Sequence, residues 1–260
     1  MSRIARFLLP TLVGLLFLLG WEILVRANDI PPYLLPGPMA IARAMVEDWP
    51  NLWASLLVTL SVTFAALAAA VIGGGGLALI FAQSRWIEAS LFPYAIILQV
   101  TPIIAIAPLI LIYVRDGFLA LLICAWIVAF FPVLSNTTLG LRAADHGLLD
   151  LMRLAGARRW QILWYLRLPA AMPYFLAGVR IAGGLSLIGA VVAEFTAGTA
   201  TAGSGLAYRI LESGYRLDIP RMYAALALLS AAGIAIYAAL GLLSWLLLRQ
   251  WHESELTQER

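Results

Sequence analysis

The sequence predicts an all-α, polytopic membrane protein with six transmembrane helices. Three observations lead there. Mean hydropathy is +0.92, and 63% of the 260 residues are hydrophobic. Several apolar runs reach or exceed the roughly 17–25 residues that cross a bilayer as a helix. None of them alternates as a barrel strand would, and within lipid only helices or closed barrels satisfy the backbone. The whole chain, 1–260, reads as a single transmembrane domain.

The first span is predicted at 7–26. Arg3 and Arg6 precede it as in a secretory signal, but Trp21 and Glu22 lie within it and no small-residue cleavage box follows, so it reads as a retained helix. Residues 27–54 form an interfacial segment. Its start, "NDIPPYLLPGP", holds four prolines that enforce an extended path, and "MAIARAMVEDW" after it suits a short amphipathic helix. The second span, 55–82, contains "VIGGGG" at 71–76, where small residues let helices approach closely.

The third span, 89–113, carries Pro93, Pro102 and Pro108, so a straight continuous helix is not expected. Non-helical backbone at membrane depth survives only when packed in protein or lining a cavity. Gln99, Thr101 and Pro102 combine polarity with freed carbonyls and are the candidate translocation pathway; the alternative is a kinked core helix. The fourth span covers 118–138, the fifth 174–196 and the sixth 222–248. Between the last two, the outer loop 197–221 opens with small turn residues and ends polar.

Composition excludes several chemistries. All 17 basic residues are arginine, and without lysine there is neither a Walker A phosphate loop nor Schiff-base catalysis. The lone Cys124 rules out an intrachain disulfide, and with only His146 and His252 beside it no metal site is expected. A formal charge of +3 is too small and dispersed to argue for nucleic acid. The "GSG" triplet at 203–205 is not a nucleophile elbow.

Arginine placement orients the spans. With both termini in the cytoplasm, ten arginines fall inside, six outside, and Arg180 lies within span five. Glu22, Arg180 and Glu194 are intramembrane charges, which read as functional by default. A structural role is open to each: the two glutamates near the outer headgroups, Arg180 as an anchor or interhelix partner. Arg180 and Glu194 are about 21 Å apart along one straight helix, so they do not pair within it.

The loop 140–173 is the anomaly of the chain. Leu148, Leu151, Met152 and Ala155 repeat at helical spacing, so 146–155 predicts a short helix with one apolar face. Gly156 permits a sharp reversal. A second helical piece is expected over 157–166, and Pro169 and Pro173 suit the entry to span five. The result is a helical elbow on the inner membrane face. It is either an interfacial helix held by arginines near anionic lipid or a handle for a partner.

The series Asp150, Leu151, Met152, then Gly156, then Leu166, Arg167, Leu168, Pro169 resembles the EAA loop of ATP-binding-cassette importer permeases. That signature places an acidic and two small residues ahead of a Gly and a later Leu-Pro; here Asp replaces Glu, and Leu and Met replace the alanines. The likeness continues in "GVRIAGGLSLIGAVVAEF" (178–195), "GSGLAYRI" (203–210) and "YLLPGP" (33–38). Together these are similar to importers of nitrate, sulfonates, taurine or thiamine-precursor pyrimidines. "QVTPIIAIAPL" leans toward the pyrimidine group, while "IYVRDG" departs from the Trp-Phe-Gly ending expected there.

The resemblance implies a type I importer permease fold with a cytoplasmic EAA coupling helix, in a bacterial inner membrane. It implies a non-catalytic translocation subunit paired with a second permease copy, and an extracytoplasmic binding protein delivering a small polar or anionic solute. Two separate ATPase subunits, which hold the ATP and Mg, would grip the elbow at Asp150, Leu151, Met152, Ala155, Gly156, Ala157, Leu168 and Pro169. Two alternatives stand beside it: a proton-coupled secondary carrier using Glu22 or Glu194, and an energy-coupling-factor-type transmembrane module.

Overall fold

The computed structural model describes residues 3–198 and 204–249, and the described residues are helical throughout apart from short connections. The helices run α1 (Arg3–Ala27), α2 (Pro38–Glu47), α3 (Trp49–Gln83), α4 (Arg85–Val100), α5 (Ile103–Tyr113), α6 (Gly117–Arg142), α7 (His146–Leu154), α8 (Arg159–Ile162), a π-turn (Leu163–Arg167), α9 (Leu168–Ala197), α10 (Leu206–Tyr215) and α11 (Ile219–Leu248). Five stretches are long and apolar enough to cross a bilayer, and the bent pair of α4 and α5 makes a sixth. The protein is a multi-pass membrane protein, and the short helix expected after the proline-rich segment is α2.

One predicted span is broken as its prolines forecast, and one needs correction. Span three, 89–113, is two helices bent by 99° at Thr101–Pro102. Pro102 offers no amide to α4 and disfavours helical geometry at the residue before it, so Thr101 is extended with ψ 121°. Pro93 and Pro108, by contrast, stay inside their helices. Span five does not begin afresh at 174 after a separate piece at 157–166: helix runs from Arg159 to Ala197 without a break. The π-turn shifts the bonding register just before Pro169, so a residue without a donor enters at the first turn of α9.

The described chain divides into two compact units, with boundaries inside α3 and α11. Unit one comprises residues up to Val58 and Gly203–Ser230. It holds α1, α2 and α10, and Trp21 meets Tyr223 edge-on at 6.1 Å. Unit two comprises Thr59–Ala202 and the chain from Ala231. Its centre is α6 packed along much of its length against α9.

That pair is close because small residues line it. A Cβ on Gly189 would lie 2.8 Å from Ala125 Cα, and one on Gly178 would lie 2.8 Å from the Pro132 carbonyl oxygen. In lipid, helices have no hydrophobic drive to associate, so such close backbone approach supplies the van der Waals contact that holds them. Leu121, Cys124, Ala125, Ala190 and Ala193 are buried in the cluster that results.

Candidate functional site

The elbow is built by local capping. Asp145 accepts the Leu148 amide at 2.9 Å and starts α7. The helix ends when Ala157 N–H reaches back to the Met152 carbonyl (2.9 Å) and Gly156 N–H to Arg153 (3.0 Å), with Gly156 at φ +71°. This is a Schellman closure, and its left-handed residue is the glycine predicted to make the reversal. Gln161 then accepts the Arg158 amide at 2.7 Å and starts α8. Ala144, Leu149 and Ile162 form a small core beneath, with Met152, Ala157, Leu166 and Ala170 packed on it.

The other face of the elbow is bare. Leu148, Leu151 and Leu154 follow at three-residue spacing and are exposed, Leu154 at 87%, as are Trp160, Trp164 and Tyr165. Of the residues expected to form one apolar face of α7, Met152 is half-buried while Leu148, Leu151 and Ala155 are exposed, and Leu149 is the buried residue of the helix. Asp150 is exposed and, among the described residues, pairs locally with Arg153 at 3.1 Å. Pro169 is exposed and Leu168 half-buried, so the expected contact residues share one accessible stretch apart from the half-buried Met152, Ala157 and Leu168.

A second site surrounds the broken helix. Gln99, Thr101 and Pro102 line a cavity of about 320 Å³ together with Val128, Pro132 and Leu185 from α6 and α9. Thr101 Oγ1 donates to the Ile97 carbonyl at 2.6 Å, the same oxygen that accepts the Thr101 amide at 3.1 Å. The three residues singled out in the sequence are therefore together at one bend.

The intramembrane charges are separated. Glu194 is 3% exposed and accepts a hydrogen bond from Thr59 Oγ1 at 2.8 Å. Thr63 in turn donates to the Thr59 carbonyl, also at 2.8 Å. The Arg180 guanidinium lies 4.0 Å from the Tyr237 ring centroid, a cation–π contact between α9 and α11. Glu22 accepts the Met39 amide at 3.1 Å and pairs with Arg26 at 2.6 Å, tying α1 to α2.

Sequence reasoning missed a charged network in unit one. Glu212 on α10 pairs with Arg209 and Arg216, each at 2.9 Å, and Arg221 bonds Asp48 at 2.5 Å while reaching Glu212 at 3.6 Å. Arg209 also donates to Ser55 Oγ. Burial pushes the Glu212 carboxyl up, but the Arg209 hydrogen bond and the charges of Arg209, Arg216 and Arg221 outweigh it and hold the group below its ordinary value. Helical spacing of Arg209, Glu212 and Arg216 was a usable signal. Nothing local links Asp48 to Arg221, which lie 173 positions apart.

Among the described residues no cluster of three or more His, Cys, Asp or Glu can hold a metal. The arrangement is mechanical: the second arm of the exposed elbow runs from Arg159 without a break into α9, and α9 touches the cavity at the broken helix and carries Glu194 toward its far end.

Comparison with known proteins agrees in kind. The riboflavin transport system permease protein RibX of Chloroflexus aurantiacus is 33% identical over 92% of this chain and 88% of its own length. The formylaminopyrimidine transport permease protein ThiX of Halalkalibacterium halodurans is 30% identical over 98% and 100%. The taurine transport system permease protein TauC of Escherichia coli is 26% identical over 93% and 88%. A crystal structure of an amino acid ABC transporter with histidines shares the fold at TM-score 0.64 and 20% identity, over 77% of this chain and 95% of that one. Residues 70–254, which hold the elbow, α9 and the broken helix, match the binding-protein-dependent transport system inner membrane component family, and the chain belongs to that family of transport permeases.

Proposed function

We propose that this permease moves a small polar organic solute inward, driven by ATP hydrolysed on separate ATPase chains that grip the 146–173 elbow. The observation that carries the reading is the continuity of the elbow with α9. From Arg159 to Ala197 the helix is 39 residues, about 58 Å, so a force applied at the exposed elbow is delivered along its length. On the way it passes Leu185 at the cavity and ends beside the Thr59–Glu194 bond. Closing the ATPases on nucleotide would draw two elbows together, in a pair of permease copies, and re-aim the cavity from one side of the membrane to the other.

The arginine distribution supports an elbow and termini in the cytoplasm of a bacterial cell, facing the ATPases across the inner membrane. The ion-pair network of unit one would then stiffen the external surface that receives a substrate-binding protein. Gln99, Thr101 and Pro102 would meet the solute. RibX and ThiX, named for riboflavin and formylaminopyrimidine, are closer in identity than TauC, named for taurine. This favours a polar heterocycle over a sulfonate, and an apolar cavity with one amide and one hydroxyl suits a planar ring with a hydrogen-bonding edge.

Reconstitution tests the reading. Liposomes holding the permease, its ATPase and the cognate binding protein are expected to accumulate solute only with ATP inside the ATPase compartment. Uptake driven by a proton gradient with no ATPase present would overturn it.

A further inference from the structure

Another cavity of unit two is larger than the one at the broken helix. It lies at the base of the elbow, about 820 Å³, between the α3–α4 turn, the end of α6, α7 and the π-turn. Its charged and titratable lining is Arg85, Arg142, Arg153, Arg167, His146 and Glu88. Four arginines against one carboxylate leave as large a positive excess as the entire chain carries.

The arginines are not equally engaged. Arg142 pairs with Glu88, which removes the cavity's only carboxylate from the others. Arg167 Nη1 donates to the Ala82 carbonyl at 3.0 Å and is held in place, but its Nε is buried with no hydrogen-bond partner among the described residues. Arg153 lies near enough for its charge to act on Arg167, and pairs otherwise only with the exposed Asp150. Like charges gathered round a recess, one with an orphaned donor, are unfavourable unless an anion joins them. Guanidinium forks match the oxygens of a phosphate.

We infer that this cavity binds a phosphate group through Arg85, Arg153 and Arg167, and that the bound anion braces the elbow against the α3–α4 turn. The three side chains come from α4, α7 and the π-turn, so one anion crosslinks the elbow to its neighbours. The phosphate is that of an anionic lipid headgroup or of a free cytoplasmic anion; the chemistry is shared. The inference concerns binding alone and does not rest on the transport reading.

Hydrogen exchange of the 146–167 amides in the full chain is the test, in two arms. In phospholipid-free maltoside micelles, inorganic phosphate is compared with chloride at equal ionic strength. In nanodiscs, phosphatidylglycerol mixed into phosphatidylcholine is compared with phosphatidylcholine alone. Exchange is expected to slow by roughly tenfold in at least one arm, as a pair of charge-assisted hydrogen bonds warrants. Slowing in micelles identifies a free anion, and slowing confined to nanodiscs identifies the lipid. The exposed double variant Arg85→Gln/Arg153→Gln is expected to lose the effect, and Arg167→Lys, which keeps the charge but not the fork, to weaken it. No slowing in either arm, or full slowing in the double variant, overturns the inference.

Discussion

At the residue scale, Gly156 is the position where backbone chemistry decides the elbow. No atom crowds a Cβ there, so the cost of substitution comes from φ +71° alone. A β-branched residue in that region costs about 1–3 kcal/mol, whereas Asn tolerates it. Gly156→Val is expected to insert normally but to leave ATP hydrolysis by the assembled transporter without matching uptake, and Gly156→Asn to stay close to the parent. The ratio of ATPase rate to solute uptake in proteoliposomes checks both. Thr59→Val removes a donor from a carboxylate that is 3% exposed. It is expected to destabilise the protein by about 1–3 kcal/mol, read as a lower melting temperature in detergent. Gly156 was legible in the sequence because reversal demands it; Thr59 with Glu194 was not, since 135 positions separate them and neither element predicts the other's facing side.

At the scale of elements, the 99° break and the α6–α9 seam are what place the cavity. Three prolines forecast a broken third span, yet only Pro102 breaks it, because Thr101 before it leaves the helical region while Pro93 and Pro108 are absorbed. Sequence spacing cannot tell these cases apart. The π-turn was likewise hidden, since Pro169 and Pro173 looked like the start of a new helix rather than passengers in an old one. Gly189→Leu is expected to overpack the seam by 1–3 kcal/mol or about that, lowering the melting temperature well beyond the effect of an equivalent change at the uncrowded Gly184. Helix α10 has its own pH signature. The lowered Glu212 ionisation means its ion pairs stabilise fully above the ordinary Glu value of about 4.3 and are lost only as pH falls below it. Amide protection in 206–215 is therefore expected to hold from neutrality to that point and then decline.

At the scale of the whole molecule, composition and hydropathy were sufficient for class and span number, because lipid leaves a backbone so few solutions. The absence of lysine was equally informative. It leaves this chain without a Walker A phosphate loop of its own, and the elbow offers an apolar face that nothing among the described residues covers. Folding of the elbow does not require that face, since Leu149 and Ile162 supply a core on the other side. An exposed stripe kept on a rigid support is the expected form of a gripped handle.

The most direct measurement is site-specific photocrosslinking from position 154, the most exposed apolar residue of the elbow, in a transporter that is hydrolysing ATP. The account predicts a covalent adduct with the ATPase chain whose yield changes between nucleotide-bound and nucleotide-free states. A working transporter that gives adducts only with lipid at that position would contradict it.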